Sequence, residues 1–111
     1  MYIQDFKIKR GETFSQDIIF QEDDTYINLE GYTAKSQIRP FLGSKELTAE
    51  FTCNIIPEQG KVNLSLTSEQ TYSTKPGKYY YDLLLYKEGI VTYYLKGKFI
   101  IEKTITEPPN V

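Results

Sequence analysis

Histidine and tryptophan are absent from the 111-residue sequence, and cysteine and methionine occur once each. With no histidine and only Cys53, the chain can build neither a Cys/His zinc site nor a Ser-His or Cys-His nucleophile, and no internal disulfide can form. The missing imidazole also removes the commonest general base at neutral pH, so any catalysis would fall to carboxylates, lysine or tyrosine. The missing indole removes the preferred aromatic surface for stacking on sugars. No apolar run approaches the roughly 18 residues of a membrane-spanning helix. The opening MYIQDFKIKRG lacks the apolar centre of a signal peptide, and the expectation is a soluble protein made in the cytoplasm. Runs of one charge are missing as well. Thirteen basic and fifteen acidic residues, spread along the chain, leave a net charge of -2 and no footprint for nucleic acid or an anionic membrane. Gly11, Gly31, Gly43, Gly60, Gly77 and Gly89 are scattered at turns with no G-x-G cluster, so no phosphate cradle is encoded.

What is present is aromatic and strand-forming. Ten tyrosines and six phenylalanines, in a chain 40% hydrophobic and 25% charged, lie far from the composition of disorder, and the length suits one domain. Phe6 and Ile8 alternate with Lys7 and Lys9 in a short strand that stops at Arg10-Gly11. A second strand, residues 13–21, has Phe14, Ile18 and Phe20 on one parity, with Ile19 breaking the alternation. Glu22-Asp23-Asp24 reads as a hairpin tip and Asn28-Leu29-Glu30-Gly31 as a turn. Tyr32, Ala34, Ser36 and Ile38 form one side of a third strand that Pro40 ends, because proline cannot donate to the ladder. Phe51, Cys53 and Ile55 mark a fourth strand, and Pro57-Glu58-Gln59-Gly60 turns the chain into a fifth with Val62, Leu64 and Leu66 on one side. Thr67-Ser68-Glu69-Gln70 matches a capping box and predicts a single helical turn. Pro76-Gly77 launches a sixth strand, residues 78–86. The seventh, residues 90–102, carries Val91, Tyr93, Leu95, Phe99 and Ile101 on one parity, with a bulge or bend expected at Gly97.

About seven short strands at roughly ten-residue intervals, with one helical turn, predict an all-β antiparallel sandwich, with an open Greek-key barrel as the competing architecture. The domain is expected over residues 1–106, with 107–111 a tail that serves as linker or docking arm. Near the start of the sixth strand, Tyr79 or Tyr81 is expected to be the corner tyrosine whose hydroxyl bonds to backbone upstream.

Four features could carry chemistry. Glu22-Asp23-Asp24 could hold calcium but lacks the Asp-x-Asp-x-Asp-Gly spacing, so a solvated hairpin tip is preferred. Asp82, between tyrosines, could be a carboxyl with a raised pKa. A cross-strand ion pair with Lys96 or Lys98, or a partner contact, is preferred over catalysis. Cys53 is in phase with Phe51 and Ile55 and reads as a small core residue with no basic neighbour to activate it. Tyr80, Tyr86 and Tyr94 with Lys78, Lys96 and Lys98 suggest an oligonucleotide or sugar platform, but the acidic balance favours a protein interface. The candidate partner surface is Tyr80, Asp82, Leu84, Tyr86 and Tyr94, on a strand face too apolar to be simply solvated. No catalytic residue, cofactor or metal is expected, and a small carboxylate-based hydrolase or lyase ranks last among the readings.

Ile8-Lys9-Arg10-Gly11-Glu12-Thr13-Phe14, followed by Asn28-Leu29-Glu30-Gly31-Tyr32-Thr33-Ala34-Lys35-Ser36-Gln37-Ile38-Arg39, resembles the opening of small immunoglobulin-like domains in tailed bacteriophage and prophage structural proteins. The stretches 60–67, 76–83 and 94–101 follow the same pattern, so the resemblance runs from about Phe6 to Thr106. It implies an immunoglobulin-like fold and a virion component of the tail, baseplate or fibre-attachment region, similar to the amino-terminal domain of baseplate upper proteins, or a decoration or adaptor protein on head or tail. The implied partners are other phage structural proteins, met by multiple copies in a symmetric assembly. The family brings no catalytic or metal residues. The alternative function is a carbohydrate-binding module that contacts host surface glycans.

Overall fold

In a strand, successive side chains point to opposite faces, so a segment with apolar residues at every second position can cover a core while its other face meets water. The computed structural model, described for residues 1–109, realises this in seven main strands: β2 (Phe6–Lys9), β3 (Phe14–Ile19), β6 (Thr33–Arg39), β8 (Thr52–Ile56), β9 (Lys61–Leu66), β10 (Gly77–Lys87) and β11 (Ile90–Glu102). Four two-residue pieces complete the set, namely β1 (Tyr2–Ile3), β4 (Gln21–Glu22), β5 (Thr25–Tyr26) and β7 (Ala49–Glu50). Such pieces are too short for periodicity to reveal.

The strands form two main sheets. In the first, β11 pairs with β10, β10 with β6 and β6 with β7, while β1 and β2 both add to β11 in parallel. The second runs β3-β9-β8, all antiparallel. With β3, β9 and β8 on one side and β2, β6, β10 and β11 on the other, the chain changes sheet between β2 and β3, β3 and β6, β7 and β8, and β9 and β10. This is the immunoglobulin wiring, and the two separate main sheets make a sandwich and not the competing open Greek-key barrel.

The core between the sheets is aromatic. Phe99, fully buried, meets Phe14 at 5.4 Å and Phe51 at 5.5 Å, both nearly edge to face, and Phe6 and Tyr81 extend the cluster. Val62, Leu64 and Leu66 on β9 and Leu83 and Leu85 on β10 fill the remainder.

Local signals hold where the sequence places them. Asp23 and Asp24 both take positive φ (51° and 62°), the arrangement of a tight primed turn, at the tip of the β4–β5 hairpin. The capping box forms, with Gln70 N donating to Thr67 Oγ1 (3.1 Å) and Thr67 N to Gln70 Oε1 (2.8 Å), and starts α1 (Ser68–Tyr72). The helix is tied down by the buried Thr71, whose hydroxyl donates to Glu12 O and accepts from Gly11 N. Tyr79 is the corner tyrosine, donating to Lys75 O at 2.6 Å. Tyr81 bonds elsewhere, to Gln4 O at 2.6 Å, and so holds the N-terminal segment to the sheet.

Two expectations for the last strand are corrected. The extra residue is Tyr94 and not Gly97: Leu83 pairs with Leu95 but Leu84 pairs with Tyr93, whereas Gly97 keeps register opposite Tyr81. The bulge reverses parity in the first part of β11, so Val91 and Tyr93, expected inward, are 54% and 49% exposed. Of the tail, Pro108 lies against Gly11, where an added Cβ would stand 2.6 Å from its ring, while Asn110 and Val111 lie outside the described residues.

Candidate functional site

The outer face of the first sheet gathers most of the residues singled out in the sequence. On β10 the outward positions are Tyr80, Asp82, Leu84 and Tyr86. Across one side stand Lys98, Lys96, Tyr93 and Val91 of β11, and across the other Arg39, Gln37, Lys35 and Thr33 of β6. Five of these twelve residues are apolar or aromatic, and apart from Asp82 the charged ones are all basic, although the chain as a whole carries -2.

One rim of this face is a loop. Pro40 stops the ladder, Gly43 turns at φ +84°, and Ser44 N bonds back to Phe41 O at 3.1 Å, leaving Phe41 59% and Leu42 84% exposed. A polar chain fixes it: Gln37 Nε2 donates to Glu50 Oε1 (3.3 Å), Arg39 Nη2 donates to Gln37 Oε1 (2.9 Å), and Arg39 Nη1 reaches Ser44 O (3.5 Å). Between loop and sheet lies an open groove of about 600 Å³ whose floor is Gln37, Arg39, Tyr80, Asp82 and Leu84. Leu42 also borders a smaller hollow of about 290 Å³ with Ile3, Lys96 and Lys98.

Asp82 stands directly opposite Lys96 and Gln37, yet among the described residues it forms no ion pair with either lysine. Lys96 is exposed and gains little by giving up water for a surface pair. Burial raises the Asp82 pKa, and the Arg39 charge partly opposes this. A carboxyl raised on folding favours the native state when protonated. Its contribution is full below the unfolded pKa and is lost as pH rises through the folded one. Asp82→Asn is therefore expected to raise the thermal midpoint near pH 7 and to change it little near pH 3. Midpoints at both pH values check this, and an equal gain at each would contradict it.

Tyr94 does not belong to this face. The bulge turns it the other way, where its ring packs edge to face on Phe20 at 5.4 Å. Sequence reasoning missed Lys35, Gln37, Arg39 and the Phe41–Leu42 rim. Their alternation is visible, but that β6 lies beside β10 is not.

Cys53 is half-buried against the core, and burial, then the Glu50 charge, lift its thiol from an ordinary 9.0 to about 11. Alkylation by iodoacetamide at pH 8 is expected to run about a hundredfold slower than for an unperturbed thiol. A rate like that of a free cysteine would contradict the burial.

The sheet order, the corner tyrosine and the aromatic core together define an immunoglobulin-like β-sandwich. No family model matches the chain, and no curated protein matches it in sequence. Among solved structures the chain is similar to the N-terminal domain of phage TP901-1 ORF48, with a TM-score of 0.52 and 16% identity over 88% of this chain and 84% of that one. That likeness is one of fold. An extracellular fragment of novel immune-type receptor 11 from Ictalurus punctatus aligns over 100% of this chain and 91% of that one at 12% identity, with a TM-score of 0.43.

Proposed function

We propose that the chain is a non-enzymatic structural component of a tailed-phage particle that docks to other particle proteins through the outer face of its first sheet. One observation carries the reading: the fold is shared along 88% of the chain with a domain of a phage protein. The chemistry of the face supports it. Tyr80, Leu84, Tyr86, Tyr93 and the Phe41–Leu42 rim offer aromatic and aliphatic area at low entropic cost, and Lys35, Arg39, Lys96 and Lys98 suit an acidic partner surface. Copies repeated on a symmetric tail, baseplate or fibre-attachment region bind with avidity, so a modest contact per copy suffices. The protein is made in the host cytoplasm and resides in the virion. Mass spectrometry of purified particles tests this: the protein is expected at a fixed ratio to the other structural proteins, and particles that lack it would end the proposal. Leu84→Arg, which leaves the core untouched, is expected to prevent incorporation.

A second reading, contact with host surface glycans, draws on the same groove, where the Tyr80 and Tyr93 rings adjoin the polar groups of Gln37, Arg39 and Asp82. A glycan array separates the two. A specific hit lost in Tyr80→Ala or Tyr86→Ala, and kept in Tyr94→Ala on the other side of the sheet, would replace the protein-docking reading.

A further inference from the structure

The second sheet ends on β3, which pairs with β9 along one side and, among the described residues, with no strand along the other. The N-terminal strands that could have covered it, β1 and β2, are both paired to β11 in the opposite sheet. The sandwich therefore stands open along this side. A slot of about 650 Å³ runs there, walled on one side by the chain from Gln16 to Glu22 and on the other by Tyr2, Ile3 and Tyr94.

Burial along β3 shows that the slot is left uncovered. Gln16 shares the inward parity of Phe14 and Ile18 yet is exposed, and Ile18 is only half-buried, whereas Val62 and Leu64 on the adjacent β9 are 0% exposed. Around the opening, Tyr2, Ile3 and Ile19 are 80%, 72% and 45% exposed.

An edge strand is usually blunted by brevity, lysine, proline or a bulge. β3 has six residues in unbroken register with β9, and its one charge, Asp17, is already engaged by Lys61 at 3.7 Å and by Asn63 Nδ2 at 2.8 Å. The other edges differ. They are shorter: β1 and β7 have two residues each, β2 has four of which two are lysines, and β8 has five.

We propose that β3 accepts a strand from a different protein: an extended segment with apolar side chains at alternate positions and a lysine or arginine near the Glu22 end. Main-chain bonds to the free edge supply affinity, and the alternate side chains fill the slot between the sheets. With Asp17 held by Lys61 and Asn63, the remaining charge in the lining is that of Glu22, and no lysine or arginine stands among the lining residues, so the slot favours a segment with a basic end. A second copy of the chain is disfavoured because its β3 edge brings no lysine or arginine to meet Glu22. The proposal rests on the chain being an interaction module, but its test is independent of whether the protein is found in particles.

The probe is a bead-displayed library of random peptides about seven residues long, panned on the intact protein. Alternating apolar sequences with a lysine or arginine at one end are expected, and they should protect from hydrogen exchange those β3 amides that point away from β9. N-methylating the best peptide on one backbone parity is expected to weaken binding at least tenfold, with little effect on the other parity, as only a strand in a ladder would show. In Glu22→Lys, an exposed substitution, the preference for a basic end should be lost. The proposal is overturned by an unenriched library, by protection confined to other strands, by N-methylation effects blind to parity, or by self-association through β3 in sedimentation.

Discussion

Replacing Phe99 with alanine is expected to destabilise the domain by about 4 kcal/mol, a large part of the roughly 5–15 kcal/mol that holds a domain of this size together. Phe99 is fully buried at the crossing of the two sheets, with the rings of Phe14 and Phe51 edge to face against it at 5.4 and 5.5 Å. Truncation loses the transfer free energy of the ring, the favourable edge contacts and the packing around the void left behind. Neighbours cannot collapse into that void, because Phe14 and Phe51 are anchored on strands of the opposite side and on the crossing into β8. Urea unfolding measures the loss. Tyr93→Ala is the comparison: strict alternation puts Tyr93 inward with Phe99, but the bulge at Tyr94 leaves it 49% exposed, so less than about 1 kcal/mol is expected. Equal costs at the two positions would mean that β11 has no bulge.

Gly97→Ala is expected to detach the N-terminal strand. The link between β1 and β2 crosses directly over Gly97, so a Cβ there would stand 2.0 Å from Gln4 O and 2.6 Å from Gln4 C, both backbone atoms that cannot rotate away. Relieving the clash moves Gln4 and Asp5 and breaks three hydrogen bonds: Gln4 N to Lys96 O (2.9 Å), Lys98 N to Asp5 Oδ1 (2.8 Å) and Tyr81 Oη to Gln4 O (2.6 Å). At about 1 kcal/mol each, the loss is about 3 kcal/mol. Hydrogen exchange reads it locally, as faster exchange of the Gln4 and Lys98 amides with the β9 amides unchanged. Retained protection at Gln4 would show that the close approach is not as described. Glycine is needed here for closeness of approach and not for a left-handed backbone, unlike Gly11 or Gly31.

Much of the architecture was legible in the sequence because its signals are local. Val62, Leu64 and Leu66 alternate without a break and form one buried row, since a strand that covers a core on one face needs no information beyond its own period. The capping box at Thr67 and Gln70 closes between residues three apart. The candidate face was legible in part. Tyr80, Asp82, Leu84 and Tyr86 share a face because they share a parity on one unbulged strand. Tyr94 was misread because a bulge is a mismatch between two strands, and no pattern within either one records it.

The sequence by itself determined that this protein is a single-cysteine, histidine-free, strand-rich domain, and, on the strands without a bulge, which row of side chains faces the core. Those properties follow from composition and from a period of two, which covalent geometry imposes wherever a strand forms. The tertiary structure alone decided which strands are neighbours. It set Lys35, Gln37 and Arg39 beside Tyr80 and Asp82, turned Tyr94 away from them, and gave both N-terminal strands to β11, leaving β3 open. The physical reason is that backbone hydrogen bonding is indifferent to side-chain identity. Any strand can pair with any other, and the choice is made by how the two apolar faces pack together as a whole.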